Sequence, residues 1–192
     1  MGFRPPFFIK QRKKMACDIT MGRIEPCKDS VGGLDAIYII NDGDYTFTMD
    51  ITDTDVIDSV SDTPSAYKYD LKGNSTFEQT ITSSTENGTT FFEQTLTLTL
   101  KKLDINSHKE LKLLSWGKPK IIVKDNNGNF FLVGKEHGAE VTGGTIVTGG
   151  AMGDLSGYTL TFTAMERVPA NFINASSESD LTTVGFSIVQ GS

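Results

Sequence analysis

A mainly β fold is predicted for this chain: an antiparallel β-sandwich or partly closed barrel with one short flanking α-helix and extended terminal arms. Three observations carry the prediction. Apolar residues alternate with Thr, Lys and Asp at period two through Tyr45–Met49, Tyr67–Leu71, Leu96–Leu100 and Tyr158–Phe162. That pattern turns one face of a strand to a core and the other to water. Gly- and Asn-containing turns punctuate these runs, as hairpin connections require. A single stretch, 107 to 116, carries helical spacing with a start and a stop signal.

The elements follow in order. Leu34–Ile40 is a strand-like apolar run closed by Asn41-Asp42-Gly43, and Tyr45, Phe47 and Met49 then alternate with threonines. Asp50 to Asp62 holds five acids and little packing potential, and reads as an exposed loop or a loosely held hairpin. Tyr67, Tyr69 and Leu71 form the next strand, followed by Gly73-Asn74. The hexamer Phe77 to Thr82 (FEQTIT) recurs as Phe92 to Thr97 (FEQTLT) across the polar link Ser83–Gly88. The two copies are expected to pair as a hairpin with threonines on the wet face.

Ser107 stands three residues before Glu110, the spacing of a capping box. Leu111, Leu114 and Trp116 supply an apolar stripe, and Gly117 with Pro119 ends the helix. Ile121–Val123 and Phe130–Val133 flank Asn126-Asn127-Gly128, the signature of a hairpin with a type I′ turn. Val141–Val147 is a strand containing Gly143 and Gly144, and the glycine-rich link Gly149–Gly157 leads into Tyr158–Thr163. Pro169 closes the body. The Ser/Thr-rich tail from Asn174 to Ser192 has only Phe186, Ile188 and Val189 to anchor it, and reads as a flexible arm.

Charge divides the chain. The 192 residues carry 24 Asp and Glu against 18 Lys and Arg, a net −6. Residues 1–14 hold Arg4, Lys10, Arg12, Lys13 and Lys14 and no acid, which leaves the remainder at −11. The expected organisation is a basic leader over 1–14, a β domain over 15–173 and the arm over 174–192. The leader is not built as a signal peptide, because Pro5 and Pro6 break its apolar run and the basic cluster comes after it. Met15 offers an alternative start, and a flexible arm is the other reading. No run approaches the roughly 18 apolar residues of a membrane span. Cys17 and Cys27 are too few for a disulfide scaffold and read as reduced thiols. The acidic body argues against a nucleic-acid-coating surface, which needs clustered Lys and Arg.

Motifs for chemistry are weak. His108 falls in the first turn of the predicted helix and reads as solvated. His137, in Lys135-Glu136-His137-Gly138, has no Cys or acid at metal-ligand spacing and reads as a loop histidine. Gly128 to Gly134-Lys135 imitates a phosphate loop with one residue too many, and Glu136 stands where Ser or Thr would hold magnesium. Gly143 to Gly153 lacks a following helix to present a dipole to phosphate. Asp50, Asp53, Asp55 and Asp58 lack the Gly and terminal Glu of an EF-hand and read as a solvated acidic loop. The sequons at Asn74, Asn87 and Asn174 are what a Ser/Thr-rich chain produces by chance. No catalytic, cofactor-binding or metal-binding residue is assigned, no cofactor is expected, and the chain does not read as an enzyme.

The order of turns and strands carries a resemblance. Asp125 to Leu132 (DNNGNFFL), His137-Gly138, Val141 to Thr145 (VTGGT), Thr148 to Phe162 (TGGAMGDLSGYTLTF) and Val168 to Phe172 (VPANF) together resemble major virion structural proteins of tailed phages, above all the tail tube proteins of phages of Bacteroidetes-type hosts. Met15 to Thr20 (MACDIT) and Gly22 to Lys28 (GRIEPCK) strengthen the likeness and favour Met15 as the start. The resemblance covers roughly residues 15 to 173. It implies a β-sandwich with a flanking helix whose copies form hexameric rings that stack into the tail tube, a conduit for DNA. The protein would then sit in the virion tail after assembly in the host cytoplasm. Its partners would be further copies of itself and other tail proteins such as tape measure and terminator. An acidic body suits a channel that must not grip DNA, and the loop 50–62 is expected to make an inter-ring contact. A head decoration or connector protein is the alternative, followed by a β-sandwich carbohydrate-binding module, which would need exposed Trp or Tyr platforms.

Overall fold

The computed structural model describes residues 19, 21–25, 27–72 and 74–191. The basic leader and Cys17 lie outside them. Among the described residues, twelve strands and two helices follow one another: β1 (Leu34–Ile40), β2 (Phe47–Met49), β3 (Val56–Val60), β4 (Ser65–Asp70), β5 (Thr76–Ser84), β6 (Thr89–Lys101), α1 (Ile105–Leu114), β7 (Lys120–Asp125), β8 (Phe130–Val133), β9 (Glu140–Val147), β10 (Gly157–Glu166), β11 (Asn171–Ile173), α2 (Glu178–Val184) and β12 (Ser187–Gln190). They build an eight-stranded sheet in the order β12-β4-β1-β7-β8-β11-β3-β2 and a four-stranded sheet in the order β5-β6-β10-β9. The fold is mainly β and is not a closed barrel.

The large sheet is rolled. β3 and β4 occupy its seventh and second places, yet only residues 61–64 join them. A link of that length reaches about 17 Å fully extended, whereas five strand spacings in a flat sheet cover about 24 Å. The sheet therefore curls until its ends approach, and α2 sits between them. Leu181 and Val184 of α2 and the following Phe186 are buried against Tyr38, Ile40, Ile57, Ile122, Phe130 and Leu132 inside the roll. The outer face of the same strands, Ile37, Ile39, Ile121, Val123 and Val133, packs on Leu96, Leu98, Phe162 and Ala164 of the small sheet. β1 and β7 are thus covered on both faces, which is why their sequences run apolar without alternation.

Several expectations are corrected. The C-terminal tail is part of the fold: α2 closes the roll, and β12 adds to the edge of β4 in parallel, pairing Ile188 with Ala66. Its apolar residues at 181, 184 and 186 are few but all buried. Asp180 reaches back to the amides of Ser176 and Ser177, and Gly185 ends the helix at φ 117°. The helix at 105–114 is capped by Asp104 rather than Ser107, for the Asp104 carboxylate accepts from the amides of Asn106 and Ser107. Those bonds hold its pKa below the usual carboxylate range. Trp116 lies past the helix end and is exposed, with the Lys112 ammonium over its ring. The turn at 126–128 is a three-residue loop: Gly128 alone has positive φ, and Asp125 and Asn129 close it. Asparagine at 126 and 127 serves instead to clamp the incoming chain, bonding to Gly32 and Val31. Of the two readings of the acidic stretch, the hairpin is the one found: β3 pairs antiparallel with β2 and places the fully buried Ile57 in the core. Only Asp50–Asp55 forms the exposed tip, held by Asp50 and Asp53 carboxylates accepting from Thr52, Asp53 and Asp55 amides.

One core residue is imperfectly satisfied. The Tyr38 hydroxyl is buried and takes no hydrogen bond among the described residues. Burial, helped by the charge of Glu178, pushes its pKa up to about 12. Replacing it by phenylalanine removes an unpaired polar group while keeping the ring packed on Phe130. Tyr38→Phe is expected to raise unfolding free energy by about 1 kcal/mol, measured by urea denaturation; a loss of stability would mean the hydroxyl has a partner in solution.

Candidate assembly surface

The small sheet has two unlike faces. Its inner residues fill the core shared with the large sheet. Its outer face is a field of hydroxyls, because the registers line up Thr76, Thr97 and Thr161 across three strands, then Thr99, Thr159 and Thr145. Thr142, the extra residue of a bulge in β9, bonds through its hydroxyl to that of Thr163 at 2.9 Å. Charges on this face are sparse: Glu78, Glu93 and Glu140, with Lys101 at one end. Glu140 pairs with Lys118.

The two sheets differ at their edges. The large sheet ends in three- and four-residue strands, β2 and β12, short edges of the kind that resist further pairing. The small sheet ends in β5, nine residues, and β9, eight residues. Neither contains Pro or Lys to blunt it, and all of β9 except Val141 is exposed. Because each neighbouring pair in β5-β6-β10-β9 is antiparallel, β5 and β9 run in opposite directions. The free edge of one copy therefore matches the other free edge of the next for antiparallel pairing.

The glycines of this sheet serve close packing. A Cβ on Gly144 would lie 2.6 Å from the Thr159 carbonyl oxygen, and one on Gly157 would lie 2.1 Å from that of Leu100. Gly149–Gly157 forms a turn in which the Asp154 carboxylate accepts from the amides of Gly150 and Ala151. The phosphate-loop imitation at 128–135 falls on the hairpin of β7 and β8 and the turn after it.

The remaining candidates are scattered. His108 lies in α1 beside the Tyr158 ring, and Cys27 is exposed. Asn74 and Asn87 sit in loops, while Asn174 donates to Asp58. His137 is the exception: the fold brings the buried carboxylate of Glu166, 29 residues away, to 3.3 Å from its Nδ1. Sequence spacing carries no sign of this pair, since β10 returns to the 134–138 turn only through long-range pairing.

A cavity of about 770 Å³ lies between α1, β4 and β12, with Tyr67, Tyr69, Asp42, Asp104 and Lys118 in its wall. Most of its charged groups have structural partners, Asp42 with Lys120, Asp70 with Lys68, Lys118 with Glu140 and Asp104 as helix cap, while Glu110 has none among the described residues. Burial and the charge of Glu110 push the Tyr69 phenol above its ordinary pKa, away from acid–base work near neutrality. Comparison of the chain with protein-family models, with curated proteins and with solved structures finds no match.

Proposed function

We infer that this chain is a structural virion protein whose copies join edge to edge into rings, and that the rings stack into the tail tube of a tailed phage. The observation that carries the reading is the pair of long, oppositely directed edges, free of Pro and Lys, on one four-stranded sheet. Pairing β9 of one copy with β5 of the next is a head-to-tail contact. Such contacts close into a ring when the rotation permits. Six copies, the number the resemblance implies, would make a barrel of 24 strands, about 45–50 Å between opposite backbones at ordinary strand spacing and tilt. Duplex DNA fits such a bore.

The outer threonine face would then line the channel, with the rolled sheet outside it. Hydroxyls and a few carboxylates offer passing DNA no array of cations. Non-specific binding through counterion release is therefore avoided. Stacking contacts fall to loops at the strand ends, including the β2–β3 loop of the large sheet. The tip Asp50–Asp55, with the fully exposed Ile51 at its apex, is the candidate inter-ring contact. A deletion to test it must spare Val56–Val60, which supplies the core residue Ile57.

The decisive experiment is negative-stain electron microscopy of the concentrated full chain. Rings or tubes with an open bore are expected. Monodisperse monomers across concentrations and salts would overturn the reading and favour a head decoration role, in which the chain binds a lattice made by another protein.

A further inference from the structure

Glu166 is a carboxylate with one oxygen held by backbone amides and the other hydrogen-bonded to the His137 ring. It is 2% exposed at the end of β10. Its Oε1 accepts from the amides of Glu136 and His137 at 3.0 and 2.9 Å. Those bonds fix the carboxylate, so that Oε2 faces His137 Nδ1 at 3.3 Å. The turn carrying His137 is itself rigidly set. Gly134 and Gly138 both have positive φ, and a Cβ on either would strike backbone within 2.6 Å. Glu136 adds a third donor from the same turn, with donor atoms of all three residues within 4.8 Å of one another. Its carboxylate takes no hydrogen bond or ion pair among the described residues, whereas neighbouring Lys135 is held by Asn171 and Met49.

We propose that Glu136, His137 and Glu166 form a binding site for a divalent transition cation of the zinc class. Two ligands each about 2.0–2.1 Å from a tetrahedral zinc stand roughly 3.3–3.4 Å apart. The Nδ1 to Oε2 separation already has that value, and the cation would replace the proton that joins these two atoms. Two carboxylates and a neutral imidazole balance its double charge. The exposed side of His137 leaves a fourth position to water. A nitrogen donor in a three-ligand set selects zinc, cobalt or nickel over calcium and magnesium, which call for more oxygens. The ion would tie the 134–138 turn to the end of β10, immediately before the β9 edge begins at Glu140. The two amide bonds to Glu166 already serve the turn without metal, so the apo chain folds, and binding is separate from the assembly reading above.

The test uses the full chain carrying Cys17→Ser and Cys27→Ser, so that no thiol contributes. After treatment with chelator, zinc chloride is titrated in by calorimetry near pH 7.5, and cobalt(II) is followed by its visible absorption. One equivalent is expected to bind, with a cobalt band of four- or five-coordinate intensity, and excess calcium or magnesium should not displace it. His137→Gln and Glu166→Gln should each weaken binding at least about tenfold. Glutamine at 166 keeps an oxygen for the two amides, and matched circular dichroism and melting temperatures of the metal-free variants confirm the fold. His108→Gln should bind as the parent does. Absence of stoichiometric binding, equal affinity in His137→Gln, or loss of binding in His108→Gln would each overturn the proposal.

Discussion

A proline on the outward-facing side of β9 is expected to abolish ring formation while leaving the chain folded. Along an antiparallel edge strand, one residue directs its N–H and C=O to the neighbouring strand, and the next directs them away. Thr145 and Ile146 pair with Thr159 and Tyr158 of β10, so one of the two faces β10 and the other faces the edge. Thr145→Pro and Ile146→Pro should therefore behave oppositely. The variant facing β10 loses a ladder bond and melts earlier. The variant facing outward keeps its melting temperature but denies a donor to β5 of the next copy, and electron micrographs should show no rings. Thr145→Ser should assemble normally. If both proline variants still form tubes, the edge of β9 is not an interface.

The second large effect concerns the joint between the sheets. Phe162 is fully buried on β10, in the core between the small sheet and the outer side of the rolled one. It is flanked in register by Leu96 on β6 and Val141 on β9. Phe162→Ala opens a cavity in a layer with no side chain free to fill it, and is expected to cost about 3–5 kcal/mol. Domains hold only about 5–15 kcal/mol in total, so the melting curve should shift strongly or lose cooperativity. Thr161→Ala, one residue away on the hydroxyl face, should stay within about 0.5 kcal/mol. A small penalty at 162 would mean that the two sheets do not share one core.

Local pattern made much of the fold legible. Period-two runs at Leu96–Leu100 and Tyr158–Phe162 mark half-buried strands because the side-chain geometry of a strand imposes that period. The FEQT echo marked a real hairpin, but the copies run antiparallel, so Phe77 meets Leu96 and Ile81 meets Phe92. The helix was visible while its cap was displaced by three residues. Asp104 and Ser107 are both good caps, and the choice depended on where the chain left β6. The second helix carries a sequence signal too: the Ser177/Asp180 capping spacing, apolar Leu181 and Val184 one turn apart, and Gly185. Composition concealed it, since five of its seven residues are Ser, Thr or acid and look like a tail until the roll supplies a core for Leu181 and Val184.

The period-two strands, the lone long helix and the acidic body follow from the sequence by itself, because each rests on residues near one another in the chain. Three things were decided only by tertiary structure. One is which strands end each sheet, since β10 enters between β6 and β9 through pairings far apart in sequence. Another is the rolling of the large sheet, forced by a short link between distant places in its order. The third is the meeting of His137 with Glu166. Local side-chain preferences act over a few residues, whereas edges, closure and converging side chains belong to the order in which strands pair. That order is set by the burial of whole faces.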